Sequence, residues 1–511
     1  MSEHRKLFKS AGIVGALTLL SRILGFLRDI IIARLFGTQM AAQAFVVAFR
    51  IPNTLRHLVG EGATNAAVIP VLSEYLANKD RKEFWHLVNV LLNLLGITLV
   101  LIAILGTILA PFIVRIIAFG FCDDAAKLEL TVRLTRVIFS FIIFIGLAAY
   151  LMGVLNTFRH FAISAIGPCV LNITMIVFGL WICGRFQEPI MGLALAVLIG
   201  GFLQLAIQIP VLVKKGFRFH FLLQLHHPAT KKIAKLLLPR MLGSSIYQLN
   251  IFADTIFASL GKIVGEGAVA ALYYANRLIQ FPTAIFGIAM ATVCLPTMSQ
   301  QALANDIDNL KNTLTISLRT LLVLLIPSSL GLFVLARPIV SVLFQRGQFD
   351  AASTQMTSFA LIFYCVGIFA YSGSRLITTC FYALKDTITP VKITMFCLLL
   401  NAVLNFMLMW PLQVGGLALA TSISSVVNFF ILIVVLRHKI GRLGLRKLVT
   451  ASFSVIICSV LMGVVCQFSY IYAQGILQNG LSLLVSIVAG IVVFIGLGWG
   501  LGIFKGFRLK I

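Results

Sequence analysis

The sequence predicts an all-α polytopic membrane protein of about fourteen spans, and three observations predict it. Of 511 residues, 60% are hydrophobic and only 11% are charged, more apolar sequence than a water-soluble core of this size needs. That sequence falls into successive windows of about 20 residues, the length that crosses a bilayer as a helix. Between the windows, Lys and Arg crowd alternate loops. The net charge of +25 fits the anionic cytoplasmic face of a membrane. No basic domain interleaved with aromatics points to nucleic acid.

In order, the windows lie near 7–36, 40–76, 84–115, 129–157, 161–183, 189–213, 232–261, 267–300, 313–336, 353–384, 388–411, 414–436, 447–472 and 479–504. The first is expected to stay as a span, being too long for a cleaved signal and lacking a small-residue cleavage site. The second and eighth are broken by Pro52 and Pro282, where a helix loses a hydrogen bond and bends. One set of loops carries Arg5, Lys6 and Lys9, then Lys79, Arg81 and Lys82, then Lys214, Lys215, Arg218, Lys231, Lys232 and Lys235. The same side continues with Lys385, with Arg437, Lys439, Arg442, Arg446 and Lys447, and with Lys505, Arg508 and Lys510. The opposite loops hold only isolated cations such as Lys127, Arg185, Lys262 and Arg346. Both termini are therefore expected in the cytoplasm.

An internal repeat sets the domain organisation. Val68-Ile69-Pro70-Val71-Leu72-Ser73 resembles Cys294-Leu295-Pro296-Thr297-Met298-Ser299, 226 residues on. At the same spacing, Leu155-Asn156-Thr157-Phe158 matches Phe381-Tyr382-Ala383-Leu384, and a proline follows in each copy (Pro168, Pro390). An even number of spans separates the copies, so the expectation is two parallel six-helix lobes, 1–220 and 221–440, with a substrate site at mid-membrane depth. Residues 441–511 carry two helices outside the repeat. The nine cysteines are scattered through apolar runs (Cys169, Cys294, Cys397, Cys458) with no CxxC pair, and read as packing residues.

Charged residues inside spans cost roughly 2.5–3.5 kcal/mol each and mark function or pairing. The first span holds Ser21-Arg22 and Arg28-Asp29 around Gly25; the arginines lie about 120° apart on a straight helix, and a bend at Gly25 would turn them together. The second reads Phe49-Arg50-Ile51-Pro52-Asn53-Thr54-Leu55-Arg56-His57, with Asn53 and Arg56 on one face and Glu61 a turn beyond His57. The eighth puts Tyr273, Arg277 and Gln280 on one face. Arg22, Arg28, Arg56 and Arg277 with few matching carboxylates suit a polyanion, because guanidinium forks bind phosphate oxygens in pairs. The competing reading pairs each arginine with Asp29, Glu61 or helix-end carbonyls. A second set, Asp254, Asn401, Asn405 and Thr421, offers hard oxygens to a small cation, or else serves as helix–helix glue, with Asp254 bonded to Asn250 and Tyr247. No catalytic arrangement and no phosphate-binding loop for ATP is present. His220, His226 and His227 read as a solvated basic loop, and an enzyme is not expected.

At these residues the sequence resembles the MurJ (MviN) family of lipid II flippases, in the multidrug/oligosaccharidyl-lipid/polysaccharide exporter superfamily. The resemblance spans essentially the whole chain. It is carried by Ser21-Arg22 through Arg28-Asp29, by Ala48-Phe49-Arg50-Ile51-Pro52-Asn53 through Arg56, by Gly60-Glu61-Gly62-Ala63 and by Tyr273-Tyr274-Ala275-Asn276-Arg277. It implies fourteen helices, two lobes around a cavity, and a lipid-tail groove on the last two helices. It implies that undecaprenyl-pyrophosphate-linked peptidoglycan precursor crosses from the cytoplasmic to the periplasmic leaflet of the bacterial inner membrane by alternating access. Arg22, Arg28, Arg56 and Arg277, with Ser21, Asn53, Glu61 and Tyr273, would then contact the headgroup. A sodium site described in the family maps to Asp254, Asn401, Asn405, Leu417 and Thr421, with Na+ as coupling ion and no other cofactor. The partners implied are lipid II, membrane lipids and the cell-wall synthesis machinery, around a monomer. Gln43, Asn276 and Gln280 stand where some relatives carry acids. An exporter of another undecaprenyl-pyrophosphate oligosaccharide remains the alternative, since its substrate carries the same charge. A drug-cation exporter would need the opposite charge, and a non-transporting scaffold has no need of such arginines.

Overall fold

The computed structural model describes residues 3–56, 65–224 and 228–503. Among them every regular element is helical, as the absence of bilayer water requires: each backbone N–H and C=O must be satisfied within its own segment. Packing divides the chain into two units, Met1–Ser259 and Leu260–Ile511. The first holds α1 (Glu3–Phe36), α2 (Met40–Arg56), α3 (Asn65–Asn78), α4 (Arg81–Ile117), α5 (Ala125–Phe139), α6 (Phe141–Thr157), α7 (Phe161–Val177), α8 (Pro189–Ala206), α9 (Ile209–Lys214) and α10 (Pro228–Ala258). The second holds α11 (Gly261–Val264), α12 (Ala268–Pro282), α13 (Ala289–Leu303), α14 (Ile307–Val334), α15 (Ala336–Phe344), α16 (Ala351–Cys365), α17 (Ile368–Ala383), α18 (Ile388–Ile440), α19 (Leu445–Gln474) and α20 (Asn479–Gly500).

Among the described residues, each of the fourteen apolar windows falls mainly on helix. Nine spans among the described residues are long and apolar enough to cross a membrane, or ten if α16 and α17, bent by 46°, count as one. The windows at 388–411 and 414–436 lie in the 53-residue α18, which breaks at Gln413 (φ 50°, ψ −130°). Pro411 begins the break by removing a donor. Gly416 completes it: a Cβ there would sit 2.0 Å from the Leu408 carbonyl oxygen, so only glycine lets the two backbones approach.

The 226-residue repeat is visible in packing. In the first unit α2 lies on α5, α3 and α4 on α6, and α6 on α8; in the second α12 lies on α16, α13 and α14 on α17, and α17 on α18. The caps repeat as well. After α6, Arg159 (φ 58°) follows the helix, with His160 N–H bonded to the Leu155 carbonyl; after α17, Lys385 (φ 60°) follows, with Asp386 N–H bonded to Phe381. Both are six-to-one closures over a left-handed residue. One helix departs from the expected boundary at 220. By the 226 spacing α10 is the counterpart of α1, yet it packs on α3 and α4, and the units divide after Ser259. The two C-terminal helices belong to the second unit, α19 lying on α14 and α20 on α19 and α15.

Candidate functional site

α1 sets Arg22 and Arg28 in different surroundings. Arg22 is exposed, whereas Arg28 is buried. Arg28 donates from Nε and Nη2 to Asp29 Oδ1 at 3.1 and 2.8 Å, and from Nη1 to Asn172 Oδ1 at 3.0 Å on α7. Asn172 Nδ2 in turn donates to the Ser21 carbonyl at 3.1 Å, which fixes which end of the amide faces the guanidinium. Gly25 faces Asn172: a Cβ there would meet Asn172 Nδ2 in ordinary contact at 3.4 Å. α1 runs without interruption through Gly25, so the bend expected to turn Arg22 and Arg28 together does not interrupt the helix. At Arg28 the pairing with Asp29 anticipated as the competing reading is present.

On α2, Arg56 donates from Nε to Asn53 Oδ1 at 3.0 Å, and both are half-buried. The same helix is tied to α10 by side chains: Arg50 Nη1 donates to the Thr255 hydroxyl, and the Thr54 hydroxyl donates to Gln248 Oε1 at 3.2 Å. Glu61, with His57 and Gly60, lies outside the described residues, as do His226 and His227.

α12 carries the polar face expected of it. Arg277 donates from Nη2 to the Tyr273 hydroxyl at 3.1 Å and from Nη1 to Gln280 Oε1 at 3.2 Å, with its guanidinium 5.1 Å from the Tyr273 ring centre. Gln280 Nε2 then donates to Asn276 Oδ1 at 2.9 Å. Asn276 and Gln280, where some relatives carry acids, thus form a chain of neutral amides. The bonds Arg277 makes along its own helix go to uncharged oxygens, which orient the fork. Gln43 is in the same position on α2: buried, and accepting from Lys127 Nζ at 3.3 Å. Lys127, expected as an isolated loop cation, is instead buried on α5, its ammonium 4.3 Å from the centre of the Phe121 ring.

The oxygen set on α18 comes together in part. Asn405 Nδ2 donates to Asn401 Oδ1 at 2.9 Å, Asn401 Nδ2 to the Thr421 hydroxyl at 3.3 Å and to Ser424 at 3.4 Å, and Thr421 to the Leu417 carbonyl at 3.0 Å. Asn401, Asn405 and Leu417 are buried. These are neutral, hard oxygens, a donor set that fits an alkali cation better than a divalent one. The same bonds join the two halves of α18, so the glue reading is also met. Asp254 is half-buried on α10, in the other unit; the Tyr247 side chain lies outside what is described.

Sequence reasoning missed Asn172, Ser424 and the Arg50–Thr255 contact. For Arg50 a signal existed: Ala48-Phe49-Arg50 aligns with Ala275-Asn276-Arg277 at nearly the repeat spacing. For Asn172 the partner is 144 residues away, and a lone asparagine in an apolar helix names none.

The family model described as "Lipid II flippase MurJ" matches residues 32–486. A "Probable lipid II flippase MurJ" of Buchnera aphidicola subsp. Acyrthosiphon pisum is 36% identical over 423 residues, 82% of this chain and 81% of that one. A "Lipid II flippase MurJ" of Burkholderia cenocepacia is 34% identical over 437 residues, 85% and 84% of the two chains. A solved structure titled "Lipid II flippase MurJ, inward closed conformation" superposes with a TM-score of 0.80 at 25% identity, covering 97% of this chain and 99% of that one. An inward-facing multidrug transporter of the MOP superfamily shares the fold alone, with a TM-score of 0.67 at 13% identity over 85% of this chain and 99% of its own. By the match over most of its length, this chain belongs to the MurJ family of lipid II flippases.

Proposed function

We propose that the protein flips lipid II, the undecaprenyl-pyrophosphate-linked peptidoglycan precursor, from the cytoplasmic to the periplasmic leaflet by alternating access. The observation that carries this reading is the family match over residues 32–486. The site chemistry agrees with it. Arg22, Arg28, Arg56 and Arg277 supply the cations that meet the pyrophosphate during the cycle, and guanidinium forks suit paired phosphate oxygens. Arg277 is oriented along α12 by the Tyr273 hydroxyl and the Gln280 amide oxygen. Arg28 already shares Asp29 and Asn172, so it acts as an oriented, partly compensated charge. No bond is made or broken in the lipid, and the protein is a carrier rather than an enzyme. A membrane potential acts on a charge that moves through it by about 2.3 kcal/mol per charge per 100 mV and can reset the carrier. Na+ is read as the coupling ion, with Asn401, Asn405, Thr421 and the Leu417 carbonyl as its neutral oxygens in the second unit.

The test is rescue of cells depleted of their own lipid II flippase, with lipid II exposure on the periplasmic side read directly and membrane levels of protein checked. Wild type is expected to restore exposure and Arg277→Ala to insert normally but fail. Replacing Na+ by choline in the medium is expected to reduce exposure by wild type; an unchanged signal defeats the sodium reading alone. A well-inserted wild type that cannot rescue removes lipid II as substrate and moves another undecaprenyl-pyrophosphate oligosaccharide into its place. Full activity of Arg277→Ala removes the arginine grip.

A further inference from the structure

Residues 217–224, after α9, have no part in the roles assigned above, yet they are held in place. Residues 217–224 run without helical structure along α4. Asn89 Nδ2 donates to the Arg218 carbonyl at 2.9 Å, and Asn89 Oδ1 accepts from the His220 N–H at 2.9 Å. One turn on, Asn93 Nδ2 donates to the carbonyls of His220 and Leu222 at 2.8 and 3.2 Å. Both asparagines are buried. The bonded backbone groups all belong to even-numbered residues, as in a strand whose one edge is pinned to the helix. Phe219, Phe221 and Leu223 alternate with them and are 62%, 68% and 51% exposed.

Two markers give the depth of this segment. On α4, exposed apolar residues run from Val100 to Ile116, about 24 Å of helix axis and most of a hydrocarbon core about 30 Å thick. Asn93 and Asn89 precede Val100 by about 10 and 16 Å along the same axis. On α9, exposed Ile209 and Val213 give way to exposed Lys214 and Lys215, the change that marks where cations reach out of the core to the headgroups. Both markers put residues 217–224 at the headgroup layer, on the side of the basic loops. Three large apolar side chains left in water there would each forgo burial, whereas that layer accepts aromatic rings.

We propose that residues 214–224 are an anionic-phospholipid anchor. Lys214, Lys215 and Arg218, all exposed, hold headgroup phosphates, and Phe219, Phe221 and Leu223 enter the boundary between headgroups and acyl chains. The Asn89 and Asn93 contacts keep the apolar row turned outward. The anchor is independent of what the protein carries.

Full-length protein in nanodiscs tests this, with and without phosphatidylglycerol in phosphatidylcholine. The reporters are Phe221→Trp and His220→Trp, each read as the added emission over the native tryptophans, with lipids brominated high on the acyl chain as quencher. Emission from the tryptophan introduced by Phe221→Trp is expected to be blue-shifted and quenched, and that from His220→Trp is not. Backbone hydrogen exchange across 217–224 is expected to slow when phosphatidylglycerol is present. Each of K214Q, K215Q and R218Q is expected to cut that lipid-dependent protection about fivefold, the effect of about one cation at an anionic surface. An unquenched Phe221→Trp reporter, or exchange indifferent to phosphatidylglycerol, overturns the proposal. Protected amides at 219, 221 and 223 without quenching also overturn it, in favour of a peptide strand pairing at this edge.

Discussion

Arg28 shows how one residue can be charged, buried and still correctly placed. A cation inside a span is costly unless it is met, and here Asp29 beside it and Asn172 on α7 meet it. The aspartate compensates charge, while the asparagine, anchored through its own N–H to Ser21, sets direction. Asn172→Ala is therefore expected to remove one charge-assisted bond, worth about 1.5–3 kcal/mol, and to let the guanidinium turn toward Asp29. The measurement is paired: thermal midpoint in detergent and lipid II exposure in the rescue assay, with Met175→Leu beside it. Met175 also touches Arg28, through sulfur at 3.9 Å, but gives no direction. If Asn172→Ala matches Met175→Leu in both readouts, Asn172 does not position Arg28. The arginines themselves were legible in the sequence because a cation in an apolar window stands out. Their partners were not, because an asparagine or threonine is ordinary in such a helix and becomes specific only when folding brings it to the charge.

At the scale of elements, α18 folds back on itself at Gln413, so its end returns toward its beginning. Lys439 Nζ meets Asp386 Oδ2 at 2.6 Å, and Asp386 also accepts from the Thr389 N–H at 3.1 Å and its hydroxyl at 2.8 Å. One carboxylate thus closes the hairpin and satisfies an orphan donor at its start. The Lys439 contact, with the Thr389 bonds, lowers the Asp386 pKa to about 2. A lowered pKa means that the stabilisation is full above the unfolded value near 3.9 and fades as pH falls through about 2. Asp386→Asn is expected to cost about 1 kcal/mol at neutral pH, as the loss of the Lys439 pair and of the Thr389 hydroxyl bond at Oδ2, since a half-exposed ion pair adds little and the amide oxygen can still accept the Thr389 N–H. The gap between variant and wild type in thermal midpoint should narrow steadily below pH 4; a gap that is constant with pH would assign the effect to packing. Hydropathy located both halves of α18 because each is a full apolar window. It gave no hint of α15, whose nine residues are too few to cross, nor of the π-helical turns at Phe178–Ile182 and Thr283–Ile288, which change hydrogen bonding without changing composition.

For the whole molecule, the repeat and the charge pattern make separate statements. The repeat describes packing inside each unit, and the shared closures after α6 and α17 carry it down to single backbone angles. Spacing pairs α10 with α1, while α10's contacts lie with α3, α4 and, through Arg50 and Thr54, α2. Spacing is a record of sequence, and side chains decide which neighbour a helix keeps. The charge pattern concerns the membrane instead, and no packing contact tests it. Loops holding Lys79, Arg81 and Lys82, Lys214 and Lys215, and Arg437 and Lys439 should lie in the cytoplasm with both termini, because cations near span ends resist translocation. Loops after α4 and α15, near Asp123 and Gly347, should lie in the periplasm. Fusing a reporter active only in the cytoplasm after residues 80, 216 and 441, and one active only in the periplasm after 123 and 347, checks this directly. Activity is expected at all five positions. Loss at 216 with retention at 80 and 123 would mean that α5 to α9 do not thread the bilayer as the charge bias demands, and the anionic-phospholipid anchor would then face the wrong leaflet.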